Sequence, residues 1–342
     1  MSSPTRRKHH HVTRAIRLFS HRRAGGTACG AHRRCRQRRP PCRRNHRHDR
    51  TLHPPGHRRP PSGHDPRLPG RTHQPPRRSR TVLDGKHILV TGVVTTDSIA
   101  FAVARRAQQL GAEVLLTGLP RDLDRARAAA AQLTGDIDVI PFDATASHDT
   151  ARLTATIAER WERLDGALHA IAFAPADALE GPLLNARPEG IGLAFQTSTV
   201  SLAALAAAVN RLAPPSGASL VGLDFDASAA WPVYNWMGVC KAGLESLNRY
   251  LARDLGPAGI RVNLVAAGPI HTRAATGIPG FEALLDAWAT RSPLRWDPAD
   301  STPVADAVCF LFSDLARAIT GEILHVDGGY HAMAAPLRQQ GS

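Results

Sequence analysis

From Lys86 onward, short runs rich in β-branched and aliphatic residues alternate with longer stretches whose apolar residues recur at helical spacing. Strands that alternate with helices in this way bury both of their faces, and a parallel sheet with helices packed above and below is the arrangement that allows it. The pattern predicts strands at His87–Gly92, Glu113–Thr117, Asp138–Pro141, Gly166–Ile171, Ala218–Leu223, Arg261–Ala266 and Glu322–Val326. The clearest helices are Ser98–Leu110, Ser147–Arg163, Pro188–Leu212, Tyr234–Leu255, Phe281–Thr290 and Val304–Asp314. The expected fold is therefore α/β, a single doubly wound Rossmann domain with a seven-stranded parallel sheet. Two segments fit no regular pattern, Ala172–Arg187 and Gly268–Pro279. Both follow strand C-termini, where open α/β sheets bind their ligands.

The alternation occupies only part of the 342 residues. Residues 1–80 hold 23 Lys and Arg against Asp49 and Asp65, a net +21, and 11 of the 17 His, whereas the rest carries 20 bases against 27 acids, a net −7. The chain's net +14 thus belongs to the N-terminal segment, and the folded part is not expected to bind nucleic acid. Without an apolar run to bury, residues 1–81 are expected to be a disordered Arg/His/Pro-rich extension. A basic arm, a transit peptide and a metal-binding tract at His9–His11 are the functional readings of it. The preferred reading is a mis-assigned start, with translation beginning at Val82 from a GUG codon. The doubly wound domain then spans 82–334, followed by a flexible tail, 335–342.

Cys29, Cys35 and Cys42 lack the close pairing of a zinc site, and Cys240 and Cys309 stand alone, so neither metal nor disulfide is expected and a reducing cytoplasm is the default. No membrane-spanning helix is expected.

Several residues in the second part point to chemistry. Strand one ends at Gly92 and the next helix opens at Ser98-Ile99, which can offer a dinucleotide pyrophosphate unpaired amides, a favourable dipole and the Ser98 hydroxyl. Ser98 is equally explained as a helix N-cap. Asp143, closing the third strand, can accept from an adenine amino group or simply form a turn. Tyr234 and Lys241 lie seven residues apart on a predicted helix, near two full turns, so both side chains share a face. There an ammonium would lower the phenol's pKa and could hold ribose hydroxyls, giving a proton donor beside a hydride donor. A surface Tyr and a solvated Lys would satisfy the same spacing.

The runs Leu83-Asp-Gly-Lys86, Ile88-Leu-Val-Thr-Gly92, Ser98-Ile-Ala-Phe101, Leu223-Asp-Phe-Asp226, Tyr234-Asn-Trp-Met237 with Lys241, Asn263-Leu-Val-Ala-Ala-Gly-Pro-Ile270, Thr272 and Val326-Asp-Gly-Gly329 together resemble the bacterial enoyl-acyl-carrier-protein reductases. That family uses Tyr-x6-Lys where ordinary short-chain dehydrogenases use Tyr-x3-Lys. The resemblance implies reduction of a trans-2-enoyl thioester of fatty acid biosynthesis by NADH, with NADPH the lesser choice, on a substrate carried by acyl carrier protein. It implies that Tyr234 stabilises the enolate, Lys241 holds the nicotinamide ribose and Phe225 lies beside nicotinamide and substrate. Gly92, Ser98, Ile99, Asp143, Ala172, Gly268, Pro269, Ile270 and Thr272 would line the cofactor. A homotetramer is also implied, through the helices at Leu193–Leu212 and Tyr234.

Three departures from the family pattern matter. Ala172 stands where Gly is common, adding a methyl beneath the cofactor. The segment Thr272–Trp296 is shorter than in mycobacterial members, which implies medium or short acyl chains. Leu119-Pro120-Arg121 lacks the acid that usually reads a free ribose hydroxyl. Arg273, Arg291 and Arg295 flank the substrate segment and could meet an acidic carrier protein. The competing readings are a ketone reductase of the wider superfamily and an inactive nucleotide-binding homologue. The first lacks its usual Ser before the Tyr and its Asn after the fourth strand, where this chain has Ala170–Ala174.

Overall fold

The computed structural model describes residues 81–335. The expectations for the Arg/His/Pro-rich segment, including its His tract and three Cys, and for the C-terminal tail beyond residue 335 lie outside the described residues.

Seven parallel strands form one sheet: β1 His87–Val90, β2 Glu113–Gly118, β3 Val139–Pro141, β4 Gly166–His169, β5 Ser219–Asp224, β6 Arg261–Ala267 and β7 Ile323–Val326. Their order is β3-β2-β1-β4-β5-β6-β7, so the chain reverses direction across the sheet between β1 and β4. Strand register is in step there, with Val90 opposite both Leu116 and Leu168. All seven expected strands are present. β1 stops short of its predicted end because Gly92 turns the chain away at φ +79°.

Nine α-helices accompany the sheet among the described residues: α1 Ile99–Gln109, α2 Leu123–Ala130, α3 Ser147–Trp161, α4 Ala176–Leu179, α5 Pro188–Phe195, α6 Ser201–Leu212, α7 Asn235–Leu255, α8 Phe281–Arg291 and α9 Thr302–Phe312. The strand pleat sends alternate residues to opposite faces. Ile88 and Val90 join Val103 and Ala107 of α1 and Val308 and Phe312 of α9 on one face. Leu89 joins Leu153 and Ile157 of α3, Leu205 and Val209 of α6 and Leu244 of α7 on the other. Each fully buried Leu or Ile contributes about 2 kcal/mol, so two apolar layers hold the strand ends in place.

Helices α5 and α6 belong to one helical run, Pro188–Leu212. It is long and apolar enough, by length and composition, to cross a membrane. Here its apolar residues have another use: Leu202, Leu205, Ala206, Val209 and Leu212 are buried against the sheet. The run is also not one uniform helix, because a π-turn at Gln196–Val200 joins α5 to α6. Such a turn adds a residue and re-aims the side chains around it. Ser198 Oγ thereby bonds both Phe173 N and Phe173 O at 3.0 Å, while Thr199 Oγ donates to Cys240 O at 2.7 Å. The π-turn thus ties the segment after β4 to the helix that carries Tyr234 and Lys241.

Candidate active site

The C-terminal ends of the strands gather nearly every residue singled out in the sequence. Gly92 follows β1, Asp143 follows β3, Ala172 follows β4, Phe225 follows β5 and Gly268 follows β6. At Gly92 a side chain is excluded twice: by φ +79°, and because a Cβ would stand 2.0 Å from the Ala170 carbonyl oxygen. The close crossing of the β1–α1 loop over the end of β4 therefore requires glycine.

Helix α1 begins beyond that loop. Ser98 is its N-cap, with Oγ accepting from Phe101 N at 3.1 Å and donating to Thr95 O at 2.8 Å. The Ser98 hydroxyl hydrogen is thus committed to the loop, which corrects the expectation that it donates to a ligand. The amides of Ile99 and Ala100 take no partner among the described residues, so the helix still presents two donors and the positive end of its dipole. Asp143 closes a turn, Oδ1 accepting from Thr145 N at 2.9 Å and Thr145 Oγ at 2.7 Å. Its Oδ2 accepts no hydrogen bond among the described residues, so the turn and an adenine amino group do not compete. Ala172 is exposed.

Past β6, Gly268 is packed so closely that a Cβ would lie 2.7 Å from the Trp296 ring and 2.8 Å from Trp288 Nε1. Trp296 Nε1 donates to Pro269 O at 2.7 Å, so that carbonyl is occupied. Ile270 is 5% exposed, and neither its N–H nor its C=O has a partner among the described residues. A buried amide with both groups open suits a ligand carboxamide. Thr272 Oγ accepts from Ala275 N at 3.2 Å. A dinucleotide fits this edge: open amides at one end, an open donor–acceptor pair at the other and a glycine crossing between.

Tyr234, at the N-cap of α7, and Lys241, in its second turn, both lie on the buried face shared with Met237, Leu244 and Asn248. Lys241 is 6% exposed and its Nζ donates to Leu223 O at 2.8 Å, while Asp224 Oδ1 lies 3.9 Å away. Burial pulls the Lys241 pKa down, and the Asp224 charge opposes that. The expectation that Lys241 lowers the Tyr234 pKa is overturned: burial drives the phenol well above its ordinary value, and Asp224 adds to it. Tyr234 is therefore a neutral hydrogen-bond donor. Phe225 is buried, its ring 4.9 Å from that of Tyr234.

Sequence reasoning missed three features of the site. An aromatic wall encloses Phe225 and Tyr234: Trp231 and Trp288 lie 5.2 and 5.7 Å from the Phe225 ring, and Trp288 stacks on Tyr330 at 3.8 Å. The turn into α7 is left-handed at Val233, φ 58°, and Asn235, φ 35°. Asn235 Nδ2 secures it by donating to Leu179 O at 3.1 Å and Gly181 O at 2.9 Å. Third, Asp224 is fully buried beside Lys241. Only Asp224 left a sequence signal, a carboxylate inside an otherwise apolar strand. Of the three flanking arginines, Arg291 is used internally, bonding Tyr330 Oη at 3.1 Å and the Met333 carbonyl, whereas Arg273 and Arg295 remain exposed.

Residues 92–331 match the family model described as enoyl-(acyl carrier protein) reductase. The chain is similar to the enoyl-acyl-carrier-protein reductase (NADH) of Mycolicibacterium smegmatis, 41% identical over 263 residues that cover 72% of this chain and 97% of the relative. The counterparts from Haemophilus influenzae and Escherichia coli K12, likewise named enoyl-acyl-carrier-protein reductase (NADH), are 41% and 39% identical over 254 residues, 74% of this chain and 96% of each relative. With its sheet order, its Tyr-x6-Lys helix and this coverage, the chain belongs to the enoyl-acyl-carrier-protein reductase family.

Proposed function

We propose that this protein reduces the trans-2 double bond of enoyl thioesters on acyl carrier protein with NADH, as a step of fatty acid biosynthesis. The observation that carries the reading is the buried Tyr234, Lys241 and Phe225 set at the sheet's C-terminal edge, in a chain so similar to NADH-named enoyl reductases.

The Ile99 and Ala100 amides, with Ser98 fixing the helix end, would hold the pyrophosphate, and Gly92 and Ala172 would border it. Asp143 Oδ2 would accept from adenine. Lys241 would hold the nicotinamide ribose, and Ile270, framed by Gly268, Pro269 and Thr272, would take the carboxamide. NADH held there would supply the hydride for the substrate β-carbon. As that carbon accepts it, the double-bond pair moves toward the thioester and negative charge collects on the carbonyl oxygen. Tyr234, neutral and desolvated, donates its phenol hydrogen bond to that oxygen, where a preorganised donor lowers the barrier most. Phe225 packs against the enoyl group and orients it. A proton delivered to the α-carbon, from water or Tyr234, completes the saturated thioester.

Arg273 and Arg295, exposed in a part of the chain with net negative charge, suit an acidic carrier protein. Leu193, Phe195 and Val200 along α5–α6 and Val239 and Tyr250 on α7 are exposed apolar residues, which supports a homotetramer built on these helices. Both described cysteines are free and buried, as suits a reducing cytoplasm. The short aromatic-walled segment around Trp288 favours medium or short acyl chains. The test is NADH oxidation by the full chain over a series of enoyl thioesters beside a β-ketoacyl thioester. Enoyl turnover that peaks below dodecenoyl is expected; ketone reduction alone would reject the reading.

A further inference from the structure

Asp224 closes β5 one residue before Phe225, and its carboxylate is fully enclosed. Neither of its oxygens accepts a hydrogen bond among the described residues; the Phe225 amide favours the charged form without closing one. An unpaired buried carboxylate is costly unless a cation faces it. Among the described residues the cation that faces it is Lys241, with Nζ 3.9 Å from Oδ1. The other ionisable groups that act on Asp224 or share its charge are Glu245 on α7, Asp226 two residues further on and the Tyr234 phenol. All three are acids. Glu245 is itself turned to the Ala227 amide, from which it accepts at 3.0 Å. His169 on β4 is fully buried, and the Lys241 charge adds to the burial that keeps it neutral. The Lys241 ammonium has three hydrogens and spends one on Leu223 O.

We propose that Asp224 is a positioning residue: its enclosed carboxylate is the counter-ion of the Lys241 ammonium and steers the two hydrogens not held by Leu223 toward the ribose hydroxyls of the nicotinamide nucleotide. This rests on the reading of Lys241 as the ribose-binding residue. Asp224 touches neither cofactor nor substrate and acts through the lysine alone. Leu223 O fixes one N–H direction and Asp224 biases the rotation about it, so a short backbone contact and a longer ionic one together define the ammonium's orientation.

Burial pushes the Asp224 carboxyl up to about 7. The sign follows directly: above that pH the group is a carboxylate and holds the ammonium, and below it the group is a neutral acid and releases its hold. NADH affinity of the full-length protein is therefore expected to weaken by about tenfold between about pH 8.5 and about pH 6, the scale of one hydrogen bond to a charged group. Asp224→Asn, which keeps the shape of the protonated acid, should bind NADH at every pH as the parent does at the acid end.

The experiment is a fluorescence titration with NADH across that pH range for the parent, Asp224→Asn and Lys241→Ala, with circular dichroism to verify that each variant is folded. A pH-independent, roughly tenfold weaker Asp224→Asn supports the proposal. An Asp224→Asn protein that keeps the parent's pH trend, or that equals the parent's affinity at alkaline pH, overturns it. Should Asp224→Asn not fold, a parent affinity that does not change across the range overturns it equally. Lys241→Ala separates the layers: if it binds NADH as tightly as the parent, the ribose reading fails whatever Asp224 does.

Discussion

Replacing Gly92 with alanine tests whether the β1–α1 loop crosses the end of β4 as closely as described. The new Cβ would stand 2.0 Å from the Ala170 oxygen and 2.8 Å from its carbon, both backbone atoms, so no side chain can yield. Holding alanine at φ +79° costs about 1–2 kcal/mol, and forcing the extra methyl into a filled space costs about 1–3 kcal/mol. A loss of roughly 3 kcal/mol in a domain of this size lowers Tm by about 6–12 °C. If the strain is relieved instead by lifting the loop from Ala170, the Ile99 and Ala100 amides move with it and the loss falls on NADH binding. Urea unfolding and a fluorescence titration with NADH therefore have to be read together. A Gly92→Ala protein with the parent's midpoint and the parent's NADH affinity would refute the close crossing and the cofactor site built on it.

Tyr234→Phe removes the phenol hydrogen bond and leaves the ring packed on Phe225, so turnover should fall by about 10²–10³-fold, while NADH affinity, measured separately, changes less than about threefold; equal losses in both would assign Tyr234 to cofactor binding instead. His169 is fully buried, and burial lowers its pKa to about 3. Its folded pKa lies below the unfolded value of 6.5, so its contribution to stability is complete above that pH and drains away as pH falls toward about 3. His169→Gln cannot take up this proton, so between neutral pH and about pH 4.5 it should lose roughly 2 kcal/mol less stability than the parent. Parallel curves from urea unfolding at the two pH values would rule out the buried neutral imidazole.

Much of this architecture is legible in the sequence because strand and helix periods are local signals. The runs around Ile88-Leu-Val90 and Leu220-Val-Gly222 read as strands, and Tyr234 and Lys241 fall on one helical face by spacing alone. Helix α2 is hard to read from the sequence, since Leu123–Ala130 mixes charge with alanine and offers little apolar contrast. The π-turn at Gln196–Val200 leaves no mark, because it arises from what Ser198 and Thr199 grasp elsewhere in the chain. The same holds for the aromatic wall: Trp231, Trp288 and Tyr330 meet only after three separate segments converge. The expected direction of the Tyr234 pKa failed for a related reason. Spacing places an ammonium near the phenol but says nothing of burial, and burial dominates.

With Tyr234 holding the thioester carbonyl oxygen, hydride is expected to reach the β-carbon of the enoyl group. The most direct measurement is mass spectrometry of the product formed by the full chain from trans-2-enoyl acyl carrier protein and NADH deuterated at the transferring position. A saturated acyl chain with deuterium at the β-carbon is expected. Unchanged enoyl substrate, with a β-ketoacyl thioester instead reduced to its deuterated 3-hydroxy product, would contradict it.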